Sequence, residues 1–177
     1  STMDREVACV YSKGTIIPDT PLGNNIVSIH INRRTYLGRS RIIAVGVSSC
    51  DISTGEVHMM ENTSHDNGDI IRFLTCYSPS ELIISSEVSK PDDEIEEFLS
   101  QIGVEYSFCT FIDRTTKLSS ISYQKEIIEK AYTGESSSII LEYIDTGTTP
   151  LAKRSLLILL DFVLCHDDII AGSFQYP

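Results

Sequence analysis

Asp51 and Glu56 stand five residues apart in the stretch "GVSSCDISTGEV", which runs apolar into an aspartate, turns over a glycine and leaves through a glutamate. A pair of acids so placed could hold a divalent cation. Two-metal hydrolysis needs three or four carboxylates gathered around cations roughly 3.5 to 4 Å apart, because the ions clamp both the attacking and the leaving oxygen. Further acids are available in Glu87, which ends "ELIISSE", and in Asp167 and Asp168 after the last helical pattern. The intervening "ISTG" points to a different use. Gly55 accepts the positive φ of a tight turn, and Ser53 and Thr54 can bond the local backbone, so both acids are expected at a solvated hairpin end. A phosphate loop fits less well, since "DISTG" offers one glycine where a phosphate cradle needs several aimed N–H groups.

The rest of the chain offers little catalytic material. No G-x-x-x-x-G-K-[ST] occurs, which excludes a P-loop nucleotide site from this sequence. His30, His58, His65 and His166 are scattered, with no metal-ligand spacing among them. Cys50 has no histidine near it in sequence, and its strand context favours burial over nucleophilic use. Arg33, Arg34, Arg39 and Arg41 concentrate four of the fourteen Lys and Arg residues in one short segment. They suit phosphate or an acidic partner, although charged hairpin ends also keep a free edge soluble and unpaired, which is the plainer reading. The acidic run "PDDEIEEF" reads as the wet face of a helix.

These residues need elements to position them. "REVACVYSKGTII" alternates as a short strand, and "NIVSIHIN" sets Val27, Ile29 and Ile31 on one face by period two. "RIIAVGVSSC" is nearly continuous in apolar residues, as in a central strand covered on both faces, and "RRTYLGRS" joins the two as a hairpin. A third strand follows through Val57 and Met59. Helical spacing then appears over "SHDNGDIIRFLTCY", with Ser64 or Asp66 as cap, before a short buried strand "ELIISSE". A second helix is expected over "SKPDDEIEEFLSQIG", capped by Ser89, with Pro91 in its first turn and Gly103 as its stop. "VEYSFCTF" reads as a strand, and "SSISYQKEIIEKAYTG" and "SSSIILEYIDTG" as helices. A long last helix opens at Thr149 and Pro150, with Leu156, Leu160, Val163 and Leu164 as its stripe, widened by Leu157 and Leu159. A meander of strands followed by alternating helix and strand predicts an α/β fold of RNase H-like kind, a mixed sheet of about five strands with helices on both faces.

Bulk properties set outer bounds. A chain of 177 residues, 41% hydrophobic, buries one ordinary core. Its longest apolar run, "LLILLDFVLC", is broken by Asp161 and falls short of the roughly 20 residues that span a bilayer. The start "STMDREV" lacks the build of a signal peptide, and the residues before Met3 read as an expression remnant. The net charge of −11 repels a phosphate backbone over most of the surface. Cys9, Cys50, Cys76, Cys109 and Cys165 are odd in number and irregularly spaced, so they are expected to be reduced, in an intracellular protein.

Four stretches taken in order resemble one family. "REVACVYSKGTII" is similar to the entry strand, "NNIVSIHI" to the next, "VGVSSCDISTGEV" to the "D-I-S-T-G" hairpin, and "YSPSELIIS" to the "P-x-E-[LI]" strand of the MutS connector domain. "AKRSLLILLDFVLCHDD" resembles the helix that leaves this domain toward the MutS core. The likeness runs from about Arg5 to Asp168. It implies residues 1–4 as remnant and start, 5–148 as the connector, and 149–177 as a C-terminal helix leading to the core and lever parts.

The resemblance further implies a noncatalytic module of a DNA mismatch-repair ATPase, with RNase H-like topology and no nuclease site of its own. On that reading the "DISTG" acids dress a hairpin. No cofactor binds here; ATP and magnesium belong to the parent chain, which is expected to be dimeric. Partners are the parent's other domains and a MutL-like protein, DNA is met only through the parent, and no membrane is involved. By position in the family Thr116 and Lys117 are the partner-contacting residues, although "FIDRTTKLSS" shows neither paired amides nor paired aromatics. "HINRRTYLGRSR" is also longer than the family's usual connection. The alternative is an RNase H-like metal-dependent nuclease using Asp51, Glu87 and Asp167.

Overall fold

The structure, a computed structural model, describes residues 24–86, 92–112, 117–132, 139–142 and 149–166, the side chain of His166 excepted. The expected opening strand lies outside them. Strands β1 (Asn25–Tyr36), β2 (Arg39–Asp51) and β3 (Val57–Asn62) form an antiparallel meander. Helix α1 (Gly68–Cys76), β4 (Pro79–Ser86), α2 (Asp93–Gln101) and β5 (Cys109–Ile112) follow, then α3 (Ile121–Ala131) and the long α4 (Pro150–His166). The sheet order is β3-β2-β1-β4-β5, with β4 parallel to β1 and β5 parallel to β4. That order and those directions are the RNase H-like arrangement that the sequence predicts.

Both faces of the sheet are covered. On one, Val27, Ile29 and Ile31 of β1 and Val45 and Val47 of β2 pack with Ile70 and Leu74 of α1 and Ile95 and Leu99 of α2. On the other, Ile26, Cys50, Val57 and Ile83 pack with Ile127 and Ile128 of α3 and with Leu156, Leu157 and Leu160 of α4. Leu156 through Leu160 are all buried, which a helix lying between sheet and neighbouring helix requires. Asp161, the break in that apolar run, accepts the Tyr123 hydroxyl of α3 at 2.7 Å and so ties the two helices together. Leu164, placed in the stripe by spacing, is only partly buried.

Helix α4 sits close to the sheet because small residues line the seam. Ser155 donates from Oγ to the Ser28 carbonyl at 2.7 Å and lies 2.9 Å from Ser48 Oγ. The first free N–H groups of α4, on Leu151 and Ala152, donate to Glu61 Oε2 of β3 at 2.8 and 3.3 Å. This places a carboxylate against the positive end of the helix.

Helix starts differ in detail from expectation. The α2 cap is Asp92, whose Oδ1 accepts the Ile95 N–H at 3.1 Å; Ser89 and Pro91 fall outside the described residues. Aspartate caps as well as serine, and Asp92 gains a second partner that sequence spacing cannot reveal. At α1 the capping position is Asn67, while Asp66 takes the Gly68 N–H one step earlier. Gly103, expected as the stop of α2, has φ 78° just beyond it. Cys76 is disulfide-bonded, which corrects the expectation of five reduced cysteines. Spacing along a chain says nothing about which thiols approach in space.

Candidate functional site

The Asp51 carboxylate is used locally. Its Oδ1 accepts from the Ser53 backbone N–H at 2.8 Å, the Ser53 hydroxyl at 2.6 Å and the Thr54 N–H at 3.3 Å. The Ser53 hydroxyl, with the backbone N–H donors, holds the Asp51 carboxyl below the usual carboxylate range. The Asp51 carbonyl receives the Gly55 N–H, and Gly55 has φ 73°. Glu56 turns away and meets His58 Nε2 at 3.0 Å. The Asp51 carboxylate thus bonds within the turn that "ISTG" predicts, and Glu56 bonds the strand that follows. Among the described residues no group of three His, Cys, Asp or Glu side chains is placed to hold a metal. Glu87, Asp167 and Asp168 lie outside the described residues. Asp51→Ala is expected to lower stability by about 1–2 kcal/mol through loss of the turn bonds. Urea titration with and without manganese checks this: a midpoint raised by the ion in wild type but not in the variant would return Asp51 to metal chemistry.

In an open α/β sheet, ligands meet the crevice outside the carboxyl ends of the strands, where the strand order reverses. Here that is the end of β1 and β4. The β1–β4 pairing finishes there in neutral residues, Ile31 opposite Ser86, and β1 runs on through Arg33 and Arg34 into the hairpin. The nearby acids, Asp92 and Glu94, are taken by Arg33, which bonds Asp92 and lies 3.2 Å from Glu94 Oε2. Glu94 also accepts the Ile42 N–H at 2.8 Å, beside the irregularity in register at Asn32/Arg33. These bonds clamp the root of the β1–β2 hairpin to α2.

Beyond that clamp the hairpin projects alone. The β4 pairing ends at Ile31 and the β3 pairing at Val45, whereas β1 and β2 stay paired out to Tyr36 and Arg39. Arg34, Arg39 and Arg41 are exposed, while the Arg33 side chain is only 7% exposed. The four arginines singled out by sequence thus divide into one structural anchor and three presented groups. Arg41 Nη2 lies 3.2 Å from His65 Nδ1 across a groove of about 350 Å³, whose other wall carries Glu94 and Glu97. Lys117 is exposed at the start of the 3₁₀ turn Lys117–Ser119, anchored by buried Leu118. Thr116 lies outside the described residues.

Cys50 is buried, as its strand context predicts, and so is His30, whose burial the sequence leaves open. His30, 6% exposed, bonds Ser85 through Nδ1 at 2.9 Å, and burial, aided by the Arg154 charge, pushes it down to about 4. The period-two pattern of "SIHI" marks one apolar face and leaves unstated that α4 covers the other. Burial pushes the Cys50 thiol up to about 12, so it is no nucleophile near neutral pH.

Residues 26–163 match the family model described as MutS domain II, an interval that takes in most of α4 and all of the sheet but Asn25. The chain belongs to the MutS domain II family. This MutS domain II therefore carries its "DISTG" motif as a hairpin whose aspartate serves the turn. No curated protein matches the sequence. Among solved structures, a chain of the simian T-cell lymphotropic virus intasome in complex with the PP2A regulatory subunit B56 gamma is 13% identical, with TM-score 0.33, covering 94% of this chain and 57% of that one. The large terminase nuclease from thermophilic phage G20c is 15% identical, with TM-score 0.31, covering 64% of this chain and 61% of that one. The MutS domain II spans about three fifths of either.

Proposed function

We propose that this MutS domain II is a noncatalytic connector, coupling the mismatch-binding and ATPase parts of a MutS-like mismatch-repair protein and presenting a surface to a MutL-like partner. The family match across the sheet and α4 carries this reading. One feature of the structure supports it: the Asp51 carboxylate serves the turn. A sheet covered on both faces makes a stiff block that nucleotide-driven states can reposition through differential contacts at its surface. ATP and magnesium then act elsewhere in the parent, and dimerisation belongs to the parent as well.

On this reading the isolated chain turns over neither ATP nor DNA, with magnesium or manganese present. The Lys117 turn, together with Thr116, is the proposed contact for the MutL-like protein. Lys117→Glu is expected to weaken capture of the cognate MutL-like protein about tenfold, since a lost charge pair and a new repulsion together amount to about 1.4 kcal/mol. Equal capture by both forms would remove Lys117 from the contact. ATP turnover by the chain alone would remove the connector reading itself.

A further inference from the structure

The projecting hairpin combines three unfavourable features at one place. Arg34 stands directly across from Arg41, and Tyr36 across from Arg39, so by pleat alternation the four share one face of a two-stranded ribbon. Like charges directly opposite destabilise a ladder. No acid among the described residues pairs with these three arginines; the contact found for Arg41 is a histidine, not a carboxylate. The turn itself is Leu37-Gly38, with φ 50° at Leu37, a left-handed conformation that suits Asn or Gly far better than leucine. Leu37 is also 86% exposed and Tyr36 74% exposed, so the tip presents large apolar groups to water. Protection of a free edge explains arginines on a ribbon, but it explains neither a leucine at the tip nor an arginine set opposite another.

A ligand that is a regular polyanion with an apolar interior accounts for both the opposed arginines and the exposed apolar tip. We propose that the β1–β2 hairpin is a DNA-contacting arm, in which Arg34, Arg39 and Arg41 engage phosphates of duplex DNA while Leu37 enters a groove. A two-stranded ribbon fits the major groove, and apolar wedges beside arginines are how strands and arms hold the minor groove. Arg39 and Arg41, two residues apart on β2, repeat at about 7 Å, twice the axial charge spacing of about 3.4 Å along one DNA strand. The whole chain has a net charge of −11, three arginines of this arm included, so the surface elsewhere repels DNA and restricts contact to this arm. Arg33, bonded to Asp92 and Glu94, holds the root and is not a phosphate contact. The choice of DNA over an acidic protein draws on the family's place in mismatch repair; it is independent of the coupling role and of Lys117.

The test is a titration of the isotope-labelled chain with a fully paired duplex, followed by amide NMR at several salt concentrations. Amides of Arg34 to Arg41 are expected to shift. Three phosphate contacts give a slope of log affinity against log salt of about −2.7, so affinity falls about 40-fold from 50 to 200 mM salt. Arg39→Ala reduces the slope by about 0.9, and the triple alanine variant brings it near zero. Leu37→Gly keeps the slope and weakens binding several-fold. These residues are exposed, so circular dichroism is expected to match wild type. Hairpin shifts with a polyglutamate peptide but none with DNA would overturn the proposal in favour of an acidic protein surface. An unchanged salt slope in the triple variant would overturn it also.

Discussion

Gly46→Ala is expected to destabilise this domain by about 3 kcal/mol or more, at the top of the range for overpacking. A Cβ at Gly46 would lie 2.0 Å from the Leu151 carbonyl oxygen, 2.2 Å from its carbon and 2.7 Å from the Ala152 nitrogen. All three are backbone atoms, so no side chain can swing aside. Relief requires the first turn of α4 to retreat by about 1 Å or more. That motion draws the Leu151 and Ala152 N–H groups off Glu61 and lifts Ser155 from Ser28 and Ser48. Gly38→Ala provides the contrast. Gly38 has φ 76° with nothing near its missing Cβ, so alanine there meets backbone strain alone, roughly 1–2 kcal/mol. Urea midpoints of the two variants measure the difference, and a Gly46→Ala protein as stable as Gly38→Ala would mean that α4 is not seated on β2 as described.

Acidification is expected to weaken the domain between pH 6.5 and about 4, before most carboxylates protonate. His30 is held near 4 in the folded state against an ordinary value of 6.5, through burial and then the Arg154 charge. Above pH 6.5 both folded and unfolded chains carry a neutral imidazole. As the pH falls, the unfolded chain takes up the proton first, so folding loses ground until His30 itself protonates near 4. The full loss is about 3 kcal/mol, with about 2 kcal/mol gone by pH 5. That is a large part of the roughly 5–15 kcal/mol that holds an ordinary domain together. His30→Gln retains a group able to bond Ser85 but cannot titrate, so its stability is expected to be flat across this window. The Asp51 carboxyl, held below 3.8, contributes stability present above that value and lost only at lower pH, outside the window. Parallel pH curves for wild type and His30→Gln, from urea unfolding at pH 7.5 and 5.0, would rule His30 out as the cause.

The two effects share a location that sequence patterning does not display. Gly46 and His30 are partners across β1 and β2, under the first turns of α4. In "RIIAVGVSSC" the glycine reads as one small residue in an apolar strand, because the helix that needs the space begins about a hundred residues later. Separation along the chain likewise hides Glu61, 90 residues from its α4 donor, and Glu94, 52 residues from Ile42 at the hairpin root. The Arg cluster was legible as a cluster, but its division into an anchor and three presented groups depends on where α2 begins.

What the sequence determined by itself is whatever local chemistry dictates. Alternation in "NIVSIHIN" and the apolar run of "RIIAVGVSSC" made two adjacent strands, Gly55 with Ser53 and Thr54 made the turn after Asp51, and Pro150 opened the last helix. Each of these follows from backbone sterics and hydrogen bonds within a few residues. Only the tertiary structure decided which polar groups became buried, which acids were taken up by arginine or helix N–H groups, and how far the hairpin stands clear of the sheet. Those outcomes depend on desolvation and contact between elements distant in the chain, and neither is written in residue spacing.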